Sequence, residues 1–203
     1  MGNRLANILS FVLHPMLMPT FAFIILLFSK SYIGYTVSIY GKSILISLIF
    51  ILTFIIPALL IGLLKKTNVI SSLALGKREE RTYPFLIVAL FYYLTYRLFL
   101  NYQLPNTFYT VILSSAFVVV ITLLINFFWK ISAHLMGIGS IVGAILALNV
   151  ILSIDYLYLI LVSLILSGLL GSSRLKLEAH SPAQVYAGFG VGFFITFILF
   201  FFS

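Results

Sequence analysis

Long apolar runs, separated by short polar segments, cover most of the chain. Seven of them can be delimited to within a few residues: 10–29, 43–64, 84–100, 107–128, 134–152, 155–171 and 182–202. A helix needs roughly 20 apolar residues to cross the hydrocarbon core of a bilayer. The runs are apolar on every side instead of alternating with a period of two, so they predict helices and not the strands of a membrane barrel. The pattern predicts an all-α bundle of about seven (six to seven) transmembrane spans.

Two local departures from this pattern predict how the spans are shaped and packed. His14, Pro15 and Pro19 lie in the first run, so we expect its helix to be kinked or partly interfacial. Pairs of glycines four residues apart predict close contacts between helices. These pairs are Gly139 with Gly143 and Gly188 with Gly192.

The composition excludes a water-soluble fold. Of the 203 residues, 63% are hydrophobic and only 8% are charged, whereas a soluble domain carries about 25% charged residues. The mean hydropathy is +1.22. A soluble enzyme, a disordered chain and a coiled coil are therefore excluded, and a polytopic membrane protein remains. Seven spans would use about 140 residues, which leaves a single integral membrane domain over 1–203 with short loops.

The ionisable residues are strongly biased towards positive charge. Twelve Lys and Arg stand against four Asp and Glu, which gives a formal net charge of +8. Because the cations cluster in loops, they favour membrane lipids and a phosphorylated lipid or polyprenyl substrate over nucleic acid as partners. Cysteine is absent, so disulfides and thiolate chemistry are excluded.

Seven spans would divide the loops between two membrane faces. Face A, the face of the N-terminus, would hold residues 1–9, 65–83, 129–133 and 172–181, and face B would hold the rest. Nine cations fall on face A: Arg4, Lys65, Lys66, Lys77, Arg78, Arg81, Lys130, Arg174 and Lys176. Three fall on face B: Lys30, Lys42 and Arg97. The positive-inside rule therefore predicts that face A is cytoplasmic.

Three loops of face A carry residues typical of a phosphate site. They span 76–84, 129–134 and 172–184. Each leads into the start of a helix, where free N–H groups and the helix dipole attract anions. In the third loop, Ser181 and Gln184 have the spacing of a capping box.

Two histidines add a chemistry to these loops, His134 in the second and His180 in the third. One imidazole can attack phosphorus and form a phosphohistidine. The other can protonate the leaving alkoxide and then activate water. Neighbouring cations would stabilise the oxygens of the transferring phosphoryl group.

The same residues resemble the type 2 phosphatidic acid phosphatase superfamily. Ser173-Arg174, five residues and His180 are similar to its signature of Ser-Arg, five residues, His, three residues and Asp. Ser132-Ala133-His134 resembles its Pro-Ser-Gly-His signature. Lys77, Arg81 and Pro84 loosely resemble its Lys, six residues, Arg-Pro signature, with a different spacing. The resemblance covers about residues 130–202, and here two predicted spans separate the first motif from the second.

The resemblance implies a bacterial inner-membrane phosphatase, a phosphoric monoester or diphosphate hydrolase, that acts on a lipid or polyprenyl phosphate. It implies that His180 is the nucleophile and His134 the general acid. The implied phosphate clamp consists of Arg174, Ser132, Lys77, Arg81 and Ser173. Gln184 stands where the family has Asp, and its amide can orient the nucleophilic ring but brings no charge. Most bacterial relatives work on the outer face of the inner membrane, which opposes the charge count.

Two other functions are open to the sequence. Gln184 favours a non-catalytic relative that binds a lipid phosphate headgroup or a membrane partner. A small transporter lacks a charged pair within a span and an inverted repeat. No metal is predicted, because His134 and His180 have no carboxylate at a ligand-like spacing, and no cofactor is predicted. The oligomeric state is not predicted.

Overall fold

The structure, a computed structural model, describes residues 1–29, 31–73, 75–153 and 155–203, and it contains only helices and loops within these ranges. Its α-helices are α1 Asn3–Val12, α2 Met18–Phe28, α3 Tyr32–Tyr35, α4 Ile39–Phe50, α5 Ile56–Lys66, α6 Thr82–Phe99, α7 Asn106–Asn126, α8 Ala133–Leu152, α9 Leu157–Lys176 and α10 Pro182–Phe201. Two 3₁₀ turns, Pro15–Leu17 and Glu79–Arg81, precede α2 and α6. A π-helical turn, Ile51–Ile55, joins α4 to α5.

Six helical stretches of the described chain are long and apolar enough to cross a membrane. They are Asn3–Phe28, Ile39–Lys66, Asn106–Asn126, Ala133–Leu152, Leu157–Lys176 and Pro182–Phe201. The prediction of an all-helical integral membrane protein is confirmed. The remaining apolar run forms α6, which packs along α7; four tyrosines and Arg97 make it less apolar than the others. Lys30, counted above on face B, lies outside the described residues.

The first span breaks at His14, as its prolines predicted. The Nδ1 atom of His14 accepts the N–H of Met16 at 3.3 Å and so caps the 3₁₀ turn that follows. Pro15 and Pro19 lie in the first turns of the two helical segments after the break, where a missing N–H removes no helical hydrogen bond. The break leaves α1 packed on α9.

The closest helix packing in the bundle joins α8 and α10. Gly139 and Gly143 of α8, with Gly188 and Gly192 of α10, let the two backbones approach each other, which confirms the predicted small-residue contact. A Cβ atom would overlap a carbonyl oxygen of the other helix at three of these glycines: Gly139 with Phe189, Gly143 with Phe193, and Gly192 with Met136. Because α8 starts beside His134 and α10 starts just after His180, this contact fixes the separation of the two histidines.

We expect Gly192→Ala to lower the free energy of unfolding by about 1–3 kcal/mol, because the added methyl group forces α10 away from α8. Gly190→Ala is the matched control. It lies on the same helix, a Cβ there meets nothing within 4 Å, and alanine is the better helix former. Unfolding of both variants in detergent measures the difference. Equal stability of the two variants would contradict the proposed packing role of Gly192.

Candidate functional site

A cavity of about 560 Å³ lies among α2, α5, α6, α7 and α8. Its basic lining consists of His14, Arg81, His134, Arg174 and His180, and no carboxylate of the described residues lines it. The rest of its wall is mainly apolar, with Met18, Phe54, Phe85, Val88, Val118 and Val119 among the side chains. The cavity therefore has a polar part beside the 76–84, 129–134 and 172–184 loops and an apolar chamber inside the bundle.

The hydroxyl groups in the wall do not make the apolar chamber polar. Ser115 donates to Val111 O at 2.7 Å, and Ser140 donates to Met136 O at 2.8 Å. Thr122 donates to Val118 O at 2.6 Å. Tyr92 donates to Met16 O at 3.4 Å. Since each of these hydroxyl protons is used by a backbone carbonyl, the chamber suits a hydrocarbon chain better than a polar ligand.

Long-range hydrogen bonds hold the first and second loops together. Arg78 donates from Nη1 to Phe128 O at 2.9 Å, and its own carbonyl accepts from Asn126 Nδ2 at 3.0 Å. Glu80 accepts from the backbone N–H and the hydroxyl of Ser71 at 3.1 Å and 2.9 Å. These contacts give Arg78 and Glu80 a structural role, because both side chains face loop backbone and not the cavity.

Arg81 connects the same loops from inside the protein. Only 6% of its surface is exposed. It donates from Nε to Leu75 O at 3.0 Å and from Nη1 to Ile131 O at 3.3 Å. Burial, and to a lesser extent the charge of Arg174, lowers the pKa of Arg81 to about 10, so it stays charged at neutral pH.

The hydrogen bonds of Gln184 determine which nitrogen of His180 carries a proton. Ser181 N–H is a donor, 3.2 Å from the Gln184 side chain, so the Gln184 atom that faces it is Oε1. The same Oε1 lies 3.0 Å from Nδ1 of His180, and an oxygen that only accepts requires Nδ1 to donate. Nε2 of His180 therefore keeps its lone pair. The capping box predicted for Ser181 and Gln184 is present.

The electrostatic surroundings keep the imidazole of His180 neutral. Burial, together with the charges of Arg81, Arg174 and Lys130, lowers its pKa to about 4 against the opposing effect of the Gln184 hydrogen bond. Lys130 has a lowered pKa as well, through burial and the charges of Arg81 and Arg174. Three cations thus act electrostatically on one neutral base, and their combined charge favours a bound anion.

Two buried polar atoms at this end of the cavity have no hydrogen-bond partner within the described part of the chain. They are Nε of Arg174 and Oγ of Ser132. Arg174 lines the cavity from the last turn of α9. Ser132 is fully buried just before α8, beside the cavity-lining Ala133, and its Oγ makes no capping bond. Because buried polar groups are nearly always paired, Nε of Arg174 is available to a ligand in the cavity, whereas Ser132 is not among the residues that line it.

Two of the predicted phosphate ligands lie elsewhere. Lys77 is exposed and is not among the residues that line the cavity. Ser173 is fully buried, but its hydroxyl donates to Leu169 O at 2.8 Å and also contacts Met1 Sδ at 3.7 Å. Its side chain therefore faces the contact between α9 and the N-terminus.

His134 and His14 form a pair at the boundary between the polar part and the apolar chamber. Their rings meet edge to face, with centroids 5.5 Å apart and an interplanar angle of 79°. Nε2 of His134 lies 3.1 Å from the carbonyl oxygen of Ser10, which can only accept, so Nε2 carries a proton. His14 was not among the predicted site residues. Its only signal in the sequence is a polar residue next to proline inside an apolar run.

Across the described ranges, no group of three or more His, Cys, Asp or Glu side chains is placed to hold a metal ion.

Comparison of the chain with family models, with curated proteins and with solved structures gave no match. A function must therefore be argued from the chemistry of the cavity.

Proposed function

We propose that this protein is a membrane-embedded phosphatase that removes phosphate from a lipid or polyprenyl phosphate through a histidine nucleophile. The observation that carries the proposal is the two-part cavity. Arg81, Arg174, His14 and His134 line it together with His180, without a carboxylate among the described lining residues, and the rest of its wall is mainly apolar. An amphiphile with a phosphorylated headgroup matches both parts.

In the proposed reaction, Nε2 of His180 attacks phosphorus. A singly protonated phosphate ester first gives its proton to Nδ1 of His134. The bond between phosphorus and the lipid oxygen then breaks, and the electron pair stays on that oxygen, which takes this Nδ1 proton. Water then attacks phosphorus, gives a proton back to His134 and releases phosphate from His180. Arg174, with its unpaired Nε atom, would hold the phosphoryl oxygens. The resemblance adds Ser132 as a second donor from the start of α8.

The hydrogen bonds of the two histidines support these roles. Gln184 holds Nδ1–H of His180, so the free lone pair is on the nitrogen that would attack. Ser10 O holds Nε2–H of His134, so Nδ1 is the nitrogen that would exchange a proton with the substrate. A positioned general acid and base typically contributes 10²–10⁴-fold to a rate.

Membership of the type 2 phosphatidic acid phosphatase superfamily is part of the proposal. It is supported by the lining of one cavity by His134, Arg174 and His180, which come from two of the family-like motifs. We further propose that α6 crosses the membrane beside α7 as a seventh span. On the charge count, face A would then lie in the cytoplasm, in a bacterial inner membrane.

The direct test is phosphate release by the purified protein from a panel of phosphorylated substrates. We expect release from phosphatidate or a polyprenyl phosphate to be at least about tenfold faster than from glycerol phosphate, because burial of a hydrocarbon chain contributes roughly 0.8 kcal/mol per CH₂. Glycerol phosphate is the matched control, since it has a headgroup without a tail. Absence of release from every member of the panel would contradict the catalytic proposal.

A second candidate function is supported by one observation, the amide of Gln184 at the nitrogen of His180 that does not attack. An amide orients the ring but does not stabilise a positive charge on it. The protein would then bind a lipid phosphate headgroup or stabilise a membrane partner without turnover. The test applies if the protein shows no phosphatase activity. A rise in its melting temperature on addition of vanadate, lost in Arg174→Ala, would favour this function.

A further inference from the structure

The apolar chamber follows one face of each of two neighbouring helices. Its lining residues recur at the spacing of a helix face, from Pro84 to Tyr92 on α6 and from Thr122 to Ser115 on α7. The polar part of the cavity lies at the start of the first stripe, where Arg81 precedes α6. The chamber is therefore elongated along α6 and α7, and it runs away from the loops that carry the basic side chains.

Both helices give the same depth for the chamber. Tyr92 lies eleven residues beyond Arg81. Ser115 lies eleven residues before the end of α7 at Asn126, and the Asn126 side chain donates to Arg78 O at 3.0 Å, so both counts start at the same loops. At a rise of 1.5 Å per residue, each count corresponds to roughly 16 Å. One leaflet is half of a hydrocarbon core of about 30 Å, so the chamber is about as deep as one leaflet.

Packed aromatic rings close the far end of the chamber. Seven residues further along the same helix faces stand Phe99 on α6 and Phe108 on α7, and both are fully buried. Both rings pack on Phe23 of α2, with centroid distances of 5.8 Å and 5.2 Å. These three residues are not among those that line the cavity. A chain that enters from the polar part therefore ends at Tyr92 and Ser115.

The volume of the cavity suits one hydrocarbon chain. The cavity encloses about 560 Å³. A methylene group fills roughly the same space as a water molecule, about 30 Å³. The whole cavity thus corresponds to roughly 18 methylene groups, which is the size of one acyl chain with a small headgroup. A second chain, or a polyprenyl chain longer than one leaflet, would not fit.

We infer that the substrate is a phosphorylated amphiphile with a single acyl-type chain that lies inside the protein, and that Tyr92 and Ser115 determine the length of this chain. The inference rests on the proposed function, which leaves the tail open between a lipid and a polyprenyl chain. Tyr92 suits an end wall, because it is 2% exposed and its hydroxyl donates to Met16 O at 3.4 Å. Ser115 is small, and its hydroxyl donates to Val111 O, so it leaves apolar space for the tip of the chain.

The first experiment locates the tip of the chain. The probe is hexadecylphosphonate with a photoreactive diazirine at its last carbon, bound to purified protein in phospholipid nanodiscs. We expect mass spectrometry to find the label at the closed end of the chamber, on Tyr92 or Ser115, and we expect excess vanadate to prevent this labelling. Label confined to lipid-facing residues, such as the exposed Phe117 of α7, would overturn the inference and leave the proposed function standing.

The second experiment measures how chain length affects affinity. Octyl-, hexadecyl- and tetracosylphosphonate compete with the photoreactive probe at equal mole fractions in the nanodiscs. We expect the wild type to bind hexadecylphosphonate at least about tenfold more tightly than tetracosylphosphonate, because extra methylene groups cannot enter a packed interior without strain. Binding, and not turnover, is measured, so the test does not depend on catalysis.

Two variants should shift this length preference in opposite directions. Ser115→Leu fills the closed end, so hexadecylphosphonate affinity should fall roughly tenfold and octylphosphonate affinity by less than about twofold. Tyr92→Ala opens the closed end, so tetracosylphosphonate affinity should rise at least about threefold. Phe117→Leu is the matched control, because Phe117 lies on the same helix as Ser115 but outside the cavity lining. It should change each affinity by less than about twofold.

The outcomes separate the inference from the proposed function. Equal affinity of the wild type for hexadecyl- and tetracosylphosphonate would overturn the inference, whether or not the variants fold. So would an equal loss for octyl- and hexadecylphosphonate in Ser115→Leu. Binding of none of the three phosphonates to the wild type would overturn the proposed anion site itself, and the inference with it.

Discussion

His180→Ala is expected to lower the rate of phosphate release by at least about 10³-fold, because removal of an attacking side chain leaves only binding and electrostatic contributions to catalysis. The measurement is single-turnover phosphate release, together with labelling of the protein by a substrate with radioactive phosphorus. The wild type should form a phosphorylated intermediate that His180→Ala does not form. An undiminished rate of phosphate release by His180→Ala would exclude His180 as the nucleophile.

The control for this prediction is Lys176→Ala. Lys176 is an exposed cation in the same loop region, outside the cavity lining, so its loss should change the rate by no more than about twofold.

The pH profile of the rate is a second check. Because the pKa of His180 is lowered to about 4, its attacking nitrogen keeps its lone pair down to about pH 5 and loses it only as the pH falls through 4. A decline in the rate centred at the ordinary histidine value of 6.5 would have to come from another group.

Gln184→Asp is expected to raise phosphatase activity at least about tenfold if the wild type is a weakened enzyme. As Nε2 of His180 bonds to phosphorus, the ring gains positive charge, and a carboxylate at Nδ1 stabilises that charge where an amide only orients the ring. Loss of the analogous carboxylate from a Ser-His-Asp triad costs about 10⁴-fold in rate. Gln184→Glu should act in the same direction, because it keeps an oxygen at the observed position 3.0 Å from Nδ1.

Ala183→Glu is the matched control for these carboxylates. Ala183 is the exposed neighbour of Gln184 in the first turn of α10, so Ala183→Glu adds the same charge at the helix N-terminus without replacing the residue that contacts His180. It should leave the rate unchanged, and none of the three variants should cost much stability, since the helix dipole favours a carboxylate there. If Gln184→Asp and Gln184→Glu fold but stay as inactive as His180→Ala, the result favours the non-catalytic function over the phosphatase.

Much of the architecture could be predicted because lipid contact imposes a simple rule on the sequence. Each spanning segment must be apolar and must satisfy its own backbone hydrogen bonds, so the apolar runs coincide with helices. The second run shows the limit of this rule. Its helical stretch extends over Ile39–Lys66 and includes a π-helical turn at Ile51–Ile55. Pro57 has no N–H to offer the carbonyl of Thr53, but how the chain accommodates this loss depends on packing, which hydropathy does not encode.

The sequence predicts the residues of the candidate site only where their spacing from a helix end is fixed along the chain. Arg174, His180 and His134 lie next to helix ends, and the positions of those ends follow from the spans. Lys77 lies in a longer loop whose path is set by contacts between distant residues, such as Arg78 with Phe128 O, and no local pattern encodes such contacts. His14 belongs to no motif, and it became part of the site only because a helix break directs it towards His134.

The mutual repulsion of Arg81, Lys130 and Arg174 also affects the stability of the folded protein. When the cavity is empty, these like charges repel one another across a partly dehydrated space, and the folded state bears that repulsion. An anion that binds the folded protein alone removes it and adds about 2.7 kcal/mol of stability at a concentration of 100 times its Kd. Ambient phosphate and anionic lipid headgroups would then stabilise the folded protein. The chain would stay folded longer in a phospholipid membrane than in a neutral, phosphate-free detergent.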